Sequence, residues 1–257
     1  MKKRILILVL SFVLLLSCSK EDSTTSTSAT FNVNNNKQTT GSSSNDLLSD
    51  KKFNSAIVEV VYVVGFEPTS TTINNLVAFL KARMYKPGGI SVIKRSIASP
   101  GTAPYTIQEI ADIENANRTK YNTANQIAIW AFFADGQSTS DTSTSVILGT
   151  AYWNTSFVIF EKTVQGLSDS PFKPNRTLLE TTVVTHEFGH ILGLTNLGTT
   201  LQSNHEDAAH AKHCNVESCL MYWSSETGGG ISNMVSGGTA PKLDAQCIAD
   251  LQANGGK

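Results

Sequence analysis

Neither sign of charge prevails in this chain of 257 residues: 20 Lys and Arg stand against 21 Asp and Glu, for a formal net charge of −1. Nothing in that balance favours a polyanion, so no nucleic acid is expected as a partner. No internal repeat is evident. No apolar run is long enough to span a bilayer comfortably, since the most apolar stretch, Ile5 to Leu16, falls short of the roughly 20 residues a membrane helix needs. Cysteine is scarce, four residues in all. If Cys18 is set apart, the other three cannot all pair. What remains is a hydrophobic content of 40%, ordinary for a globular protein and sufficient for one medium domain with accessory segments.

The first segment has the build of an export signal, with Lys2, Lys3 and Arg4 ahead of the apolar run. It ends in Leu15-Leu16-Ser17-Cys18, which resembles the bacterial lipobox. That resemblance implies a signal peptide over residues 1–17, a lipid on Cys18 and attachment to a membrane. Ser19-Lys20-Glu21-Asp22 resembles the surface-export signal of Bacteroidetes lipoproteins, which implies an outer-membrane lipoprotein exposed on the cell. A plain secretory leader and a solvated linker are the competing readings of these two strings.

Between Ser23 and Asp50, Ser, Thr and Asn dominate and large apolar residues are few, so residues 18–50 are expected to be a disordered tether. The domain is expected over residues 51–257. Ser55 to Gly65, Ile90 to Ile97 and Gln126 to Ala134 read as strands. Thr72 to Tyr85 and Thr106 to Tyr121 read as amphipathic helices between them. Val146 to Phe160 reads as two short strands broken near Asn154. A helix from about Thr177 to Leu192 follows, with Asn175 as its N-cap.

That last helix carries His186-Glu187-Phe188-Gly189-His190, an HExxH motif. Residues four apart project from one helical face, so His186 and His190 can converge on a single metal while Glu187 points to its open position. Zinc suits such a site: it accepts imidazole nitrogen, polarises a carbonyl and acidifies bound water, whose proton Glu187 would take. Val183, Val184, Phe188, Ile191 and Leu192 make the helix apolar enough to be buried, and Gly193 stops it.

His186 to Leu194 (HEFGHILGL) resembles the metzincin signature HExxHxxGxxH, with Asn196 where the third His is expected. Further on, His213-Cys214-Asn215-Val216-Glu217-Ser218-Cys219-Leu220-Met221 resembles the HC-x4-C-x-M string of archaemetzincins. The resemblance implies that His213 is the third zinc ligand, that Leu197 to Lys212 is an inserted loop, and that Met221 forms the turn beneath the metal. His205 is a rival ligand and His210 a lesser one. It also implies an α/β metzincin-like domain: a twisted mixed sheet, an active-site helix and a small irregular C-terminal subdomain. The activity implied is zinc-dependent hydrolysis of peptide or protein substrates. Val146 to Asn154 resembles in placement the edge strand along which these enzymes lay out substrate, where Gly149 and Ala151 would permit close approach. Tyr222 and Trp223 are expected at the core or rim. No cysteine-switch propeptide is evident.

Archaemetzincins hold a second, structural zinc on four cysteines, the last two as CxxC. Here Asp244-Ala245-Gln246-Cys247 matches that pair with Asp in place of the first Cys. Two readings stand: a disulfide among Cys214, Cys219 and Cys247 with one spare thiol, which the exported context favours, or a Cys3Asp zinc site. A different class of function also stays open, supported by Asn196: a surface lipoprotein with this fold that has lost hydrolysis and binds glycan or protein.

Overall fold

A strand that is apolar at every position can be buried on both faces, which is what the middle of a mostly parallel sheet requires. From Ile127 onward, Gln126–Phe133 is such a strand. In the computed structural model, which describes residues 31–170, 173–228 and 238–257, it lies at the centre of a five-stranded sheet. The elements are α1 (Ser44–Leu48), β1 (Ser55–Val63), α2 (Ser70–Arg83), β2 (Ile90–Ile97), α3 (Ile107–Asn117) and β3 (Gln126–Phe133). They continue with β4 (Gly149–Trp153), β5 (Ser156–Ile159), α4 (Glu161–Gly166), α5 (Arg176–Ile191) and α6 (Ala245–Ala253).

The strand order is β2-β1-β3-β5-β4. All neighbours are parallel except β4, which runs antiparallel to β5 at the edge. This is the mixed sheet expected from the sequence, with the expected edge strand in place. Side chains alternate across it. Ile127, Ile129, Ala131 and Phe133 join α2 and α5 in one core, whereas Trp130, Phe132 and Ala134 join Ile110 and Ile113 of α3 in the other. The Glu180 carboxylate of α5 ties the two helices on its side together, accepting from the Thr69 N–H at 2.9 Å and the Thr72 hydroxyl at 2.6 Å.

Helix α3 stops at Asn117, short of the expected Tyr121. Arg118 leaves the helix because its guanidinium is drawn into the interior, onto Glu114 at 2.6 Å and the Ala128 carbonyl at 2.8 Å. The C-terminal part is also more regular than expected, since α6 forms there with Asp244 as its N-cap.

The expected tether over residues 18–50 needs correction for residues 31–50, which belong to the same compact unit as the rest of the chain to Lys257. Leu47, Leu48 and Phe53 are sparse but all enter the main core. Asn36 is fully buried and donates to Asn122, the Ala128 carbonyl and Thr155. Polar residues order this arm because their partners are buried, which overall composition does not reveal. The expected signal peptide and Cys18 lie outside the described residues. Among the described residues no helix is long and apolar enough to cross a membrane.

Lys86 clamps the arm, its ammonium donating to the carbonyls of Asp46 at 2.9 Å, Phe53 at 2.8 Å and Ser49. Lys86→Met leaves these carbonyls without a charged donor and is expected to cost about 1–3 kcal/mol. Urea unfolding measures this, and limited proteolysis should show cleavage within residues 31–50 appearing first; an unchanged midpoint would mean the clamp contributes nothing.

Candidate metal centre

Asn175 caps α5 by accepting from the Leu178 N–H. From Leu179 onward every residue of the helix is buried, so the HExxH face projects into protein rather than solvent. The structure brings His186, His190 and His213 together, with ring centroids 4.7 to 5.4 Å apart. The Nε2 atoms of His186 and His190 are 3.0 Å apart. Ring orientation is fixed from behind: Nδ1 of His186 lies 2.7 Å from the Leu220 carbonyl, and Nδ1 of His213 lies 3.1 Å from that of Ala211. A carbonyl only accepts, so Nδ1 carries a proton in both rings, and in the neutral ring Nε2 turns a lone pair inward. These three Nε2 atoms, with a carboxylate oxygen of Glu226, all lie within 4.8 Å of one another, a donor set that could hold a metal ion.

Met221 lies directly under the helix. A Cβ built on Gly189 would come 2.3 Å from its Sδ, so only glycine inside the motif admits that contact. The Cys214 N–H donates to the Met221 carbonyl at 2.8 Å, which sets the residue next to His213.

Glu187 is fully buried, and neither carboxylate oxygen has a well-formed hydrogen bond; the Ala151 N–H is the nearest compensating donor. Burial, and then the charge of Glu226, lift its pKa well above the usual carboxylate range. Burial likewise lowers His190 to about 4. His213 moves the other way, because Glu226 outweighs the burial that would lower it. For Glu226 itself, burial opposes the charge, but the three imidazoles override it and hold the carboxyl below its ordinary range. A cleft of about 170 Å³ opens beside these groups, bordered by Thr40 of the arm, Thr150 and Ala151 of β4, and Lys212.

The rival residues are elsewhere. Asn196 sits at a positive φ of 71° and donates to Glu206 at 3.1 Å. His210 stacks on Trp223 with ring centroids 4.4 Å apart and pairs with Asp207. His205 is buried against Asp250 at 2.7 Å and faces the Cys214 sulfur at 3.5 Å. Glu226 was not among the residues singled out in the sequence. Its position comes from an antiparallel bridge between Ile147 and Thr227, a pairing that no local pattern announces.

The disulfide favoured on the sequence is also corrected. Cys214, Cys219 and Cys247 are free. The shortest sulfur contact given by their hydrogen bonding, Cys219 to Cys247, is 3.6 Å, far beyond the roughly 2.05 Å of a bond. Together with Asp244 they form a second group whose ligand atoms lie within 4.8 Å of one another. The crowded sulfurs share protons unevenly: contact with Cys214 and then Cys247 lowers Cys219 to about 4, and contact with Cys214 and then Cys219 raises Cys247.

No family model matches the chain, and no curated protein matches it. Among solved structures, archaemetzincin from Methanopyrus kandleri is similar at 16% identity and a TM-score of 0.53, over 78% of this chain and 96% of that one. Metalloproteinase-II from Bacteroides fragilis matches at 12% identity and a TM-score of 0.42, over 80% of this chain and 54% of that one. The first likeness makes the fold metzincin-like, as the sequence led one to expect. Identity this low says nothing of chemistry, which has to come from the side chains.

Gly149 is the floor on which Glu187 rests: a Cβ there would approach the Glu187 Oε1 to 2.7 Å. Gly149→Ala is expected to push Glu187 aside and to lower stability by about 1–3 kcal/mol, as overpacking of a filled interior does. Denaturant unfolding reads this out; wild-type stability would mean that Glu187 has room to spare.

Proposed function

We propose that the chain is a zinc-dependent peptidase. The observation that supports this best is the convergence of three inward-facing Nε2 atoms beside a buried, poorly satisfied carboxylate, Glu187. His186, His190 and His213 would hold the ion, a neutral-imidazole set that zinc favours. When bound, zinc supplies an electrophile for the scissile carbonyl and acidifies water near it. Glu187 takes the proton from the attacking water and is the group placed to return it to the leaving amine. The edge of β4 offers backbone N–H and C=O groups to an extended peptide, a mode of binding that reads main chain more than side chain. The substrate class is therefore peptide or protein.

Cys214, Cys219, Cys247 and Asp244 would hold a second, structural zinc. Three thiols and a carboxylate are crowded in the interior, and a bound metal would deprotonate all three thiols. His205, oriented by Asp250, backs the thiols on one side.

The purified protein is expected to carry roughly two zinc ions per chain, falling to one in His213→Ala. It should cleave a mixed peptide library in a chelator-sensitive way. Glu187→Gln should reduce that cleavage by about 10²–10⁴-fold with both zinc ions retained. Full zinc content in His213→Ala would sink the ligand assignment. Cleavage by neither protein, with metal present, would leave a protein that binds without hydrolysing.

We further propose that the chain is an outer-membrane lipoprotein exposed on the cell and anchored through Cys18. The support is the lipobox-like string and the charged residues behind it. In detergent phase partition, the protein from bacterial membranes should follow the detergent, and Cys18→Ser should move it to the aqueous phase. A wild-type chain already in the aqueous phase would refute the anchor, and protease treatment of intact cells tests the exposure.

A further inference from the structure

Glu226 contributes a fourth donor to a centre whose hydrolytic use requires only three from the protein. Its Oε1 lies 3.2 Å from Nε2 of His213, and its Oε2 lies 3.6 and 3.7 Å from Nε2 of His186 and His190. In a tetrahedral zinc site with bonds of 2.0–2.1 Å, neighbouring donor atoms are separated by roughly 3.3 Å. A carboxylate oxygen is therefore within reach of the fourth corner that such an ion would present over the three imidazoles.

Simple ion pairing with protonated histidines is the other explanation, and the spacing argues against it. The Nδ1 atoms of His186 and His213 are directed at backbone carbonyls, which turns Nε2 of each ring toward Glu226. His213 Nε2 makes no well-formed hydrogen bond with Oε1 at 3.2 Å, and Oε2 stands 3.6 and 3.7 Å from the other two nitrogens. These separations exceed the roughly 2.7–2.9 Å of a charge-assisted hydrogen bond and are close to those of donors gathered round one ion.

The placement is built by the backbone. The Leu148 N–H donates to the Glu226 carbonyl at 2.8 Å, and the Gly228 N–H donates to the Val146 carbonyl at 3.0 Å. These bonds lay Glu226 against the stretch that leads into β4. Its side chain is 25% exposed and borders the cleft, whereas His186 is fully buried. Of the four donors, the carboxylate is the most exposed.

We propose that Glu226 is a fourth, displaceable ligand that caps the metal in the resting protein, in the position that water or a substrate carbonyl must take. The inference rests on the zinc-peptidase reading above. Substrate laid along β4 must dislodge the cap before hydrolysis, and an exchangeable carboxylate keeps the exported enzyme quiet until then.

Cobalt(II) titration of the metal-free protein, followed by visible absorption, tests this, with His213→Ala recording what the cysteine cluster contributes. Glu226→Gln is expected to weaken cobalt at the histidine centre by about tenfold and to change its visible spectrum. The same variant should bind acetohydroxamate about tenfold more tightly, because the position is no longer occupied. Glu226→Asp, which keeps the charge, should restore part of both effects; circular dichroism verifies that each variant is folded. If cobalt affinity, spectrum and hydroxamate affinity in Glu226→Gln all equal wild type, the cap is refuted. Hydroxamate that fails to bind the wild type at any concentration would refute displaceability. If His213→Ala binds cobalt as the wild type does, the metal-centre reading itself has failed, which is distinguishable from a silent Glu226.

Discussion

The histidine centre depends on one steric permission, the absence of a side chain on Gly189. Because Met221 can press against that glycine, the segment from His213 to Met221 runs directly beneath α5. The Leu220 carbonyl then meets His186, and the Met221 carbonyl holds Cys214. His213, distant in sequence, thus returns to the face that already carries His186 and His190. Two imidazoles come from helical periodicity; the third comes from packing.

That division also explains what could be read before the fold was known. The HExxH pair, the edge strand and the alternation of β3 are local patterns, and each appears where its spacing put it. His213 was reachable through the resemblance of the string ending in Met221, since loop length alone gives no register. The arm was misread because Leu47, Leu48 and Asn36 are few among Ser, Thr and Asn, yet each has a buried seat. Glu226 was invisible because its place is set by Val146 and Leu148, far upstream. The cysteines were misassigned because spacing in sequence cannot tell a sulfur pair from a sulfur cluster; Asp244, which caps α6 through the Cys247 N–H at 2.8 Å, is what gathers them.

The two ligand groups are not independent. His213 and Cys214 are adjacent, and successive residues of an extended chain face opposite ways. One joins the imidazoles while the other joins the sulfurs, so a single short stretch of backbone serves both. The segment that continues from it is fastened to the residues leading into α6 by the hydrogen bond from the Leu220 N–H to the Lys242 carbonyl, at 2.9 Å. Order in the sulfur cluster is thereby transmitted to the third imidazole.

The arm binds the two ends of the domain to each other. Asn45 donates to the Asn254 carbonyl, Asn254 donates to Ser44, and the Lys257 N–H donates to the carbonyl of Arg83. A version trimmed to begin at Lys51 would strip the seats of Leu47 and Leu48, each worth about 1.5–3 kcal/mol of burial. It would also remove Thr40 from the rim of the cleft. The stretch that looks most like dispensable spacer is therefore a wall of the cleft beside the three imidazoles.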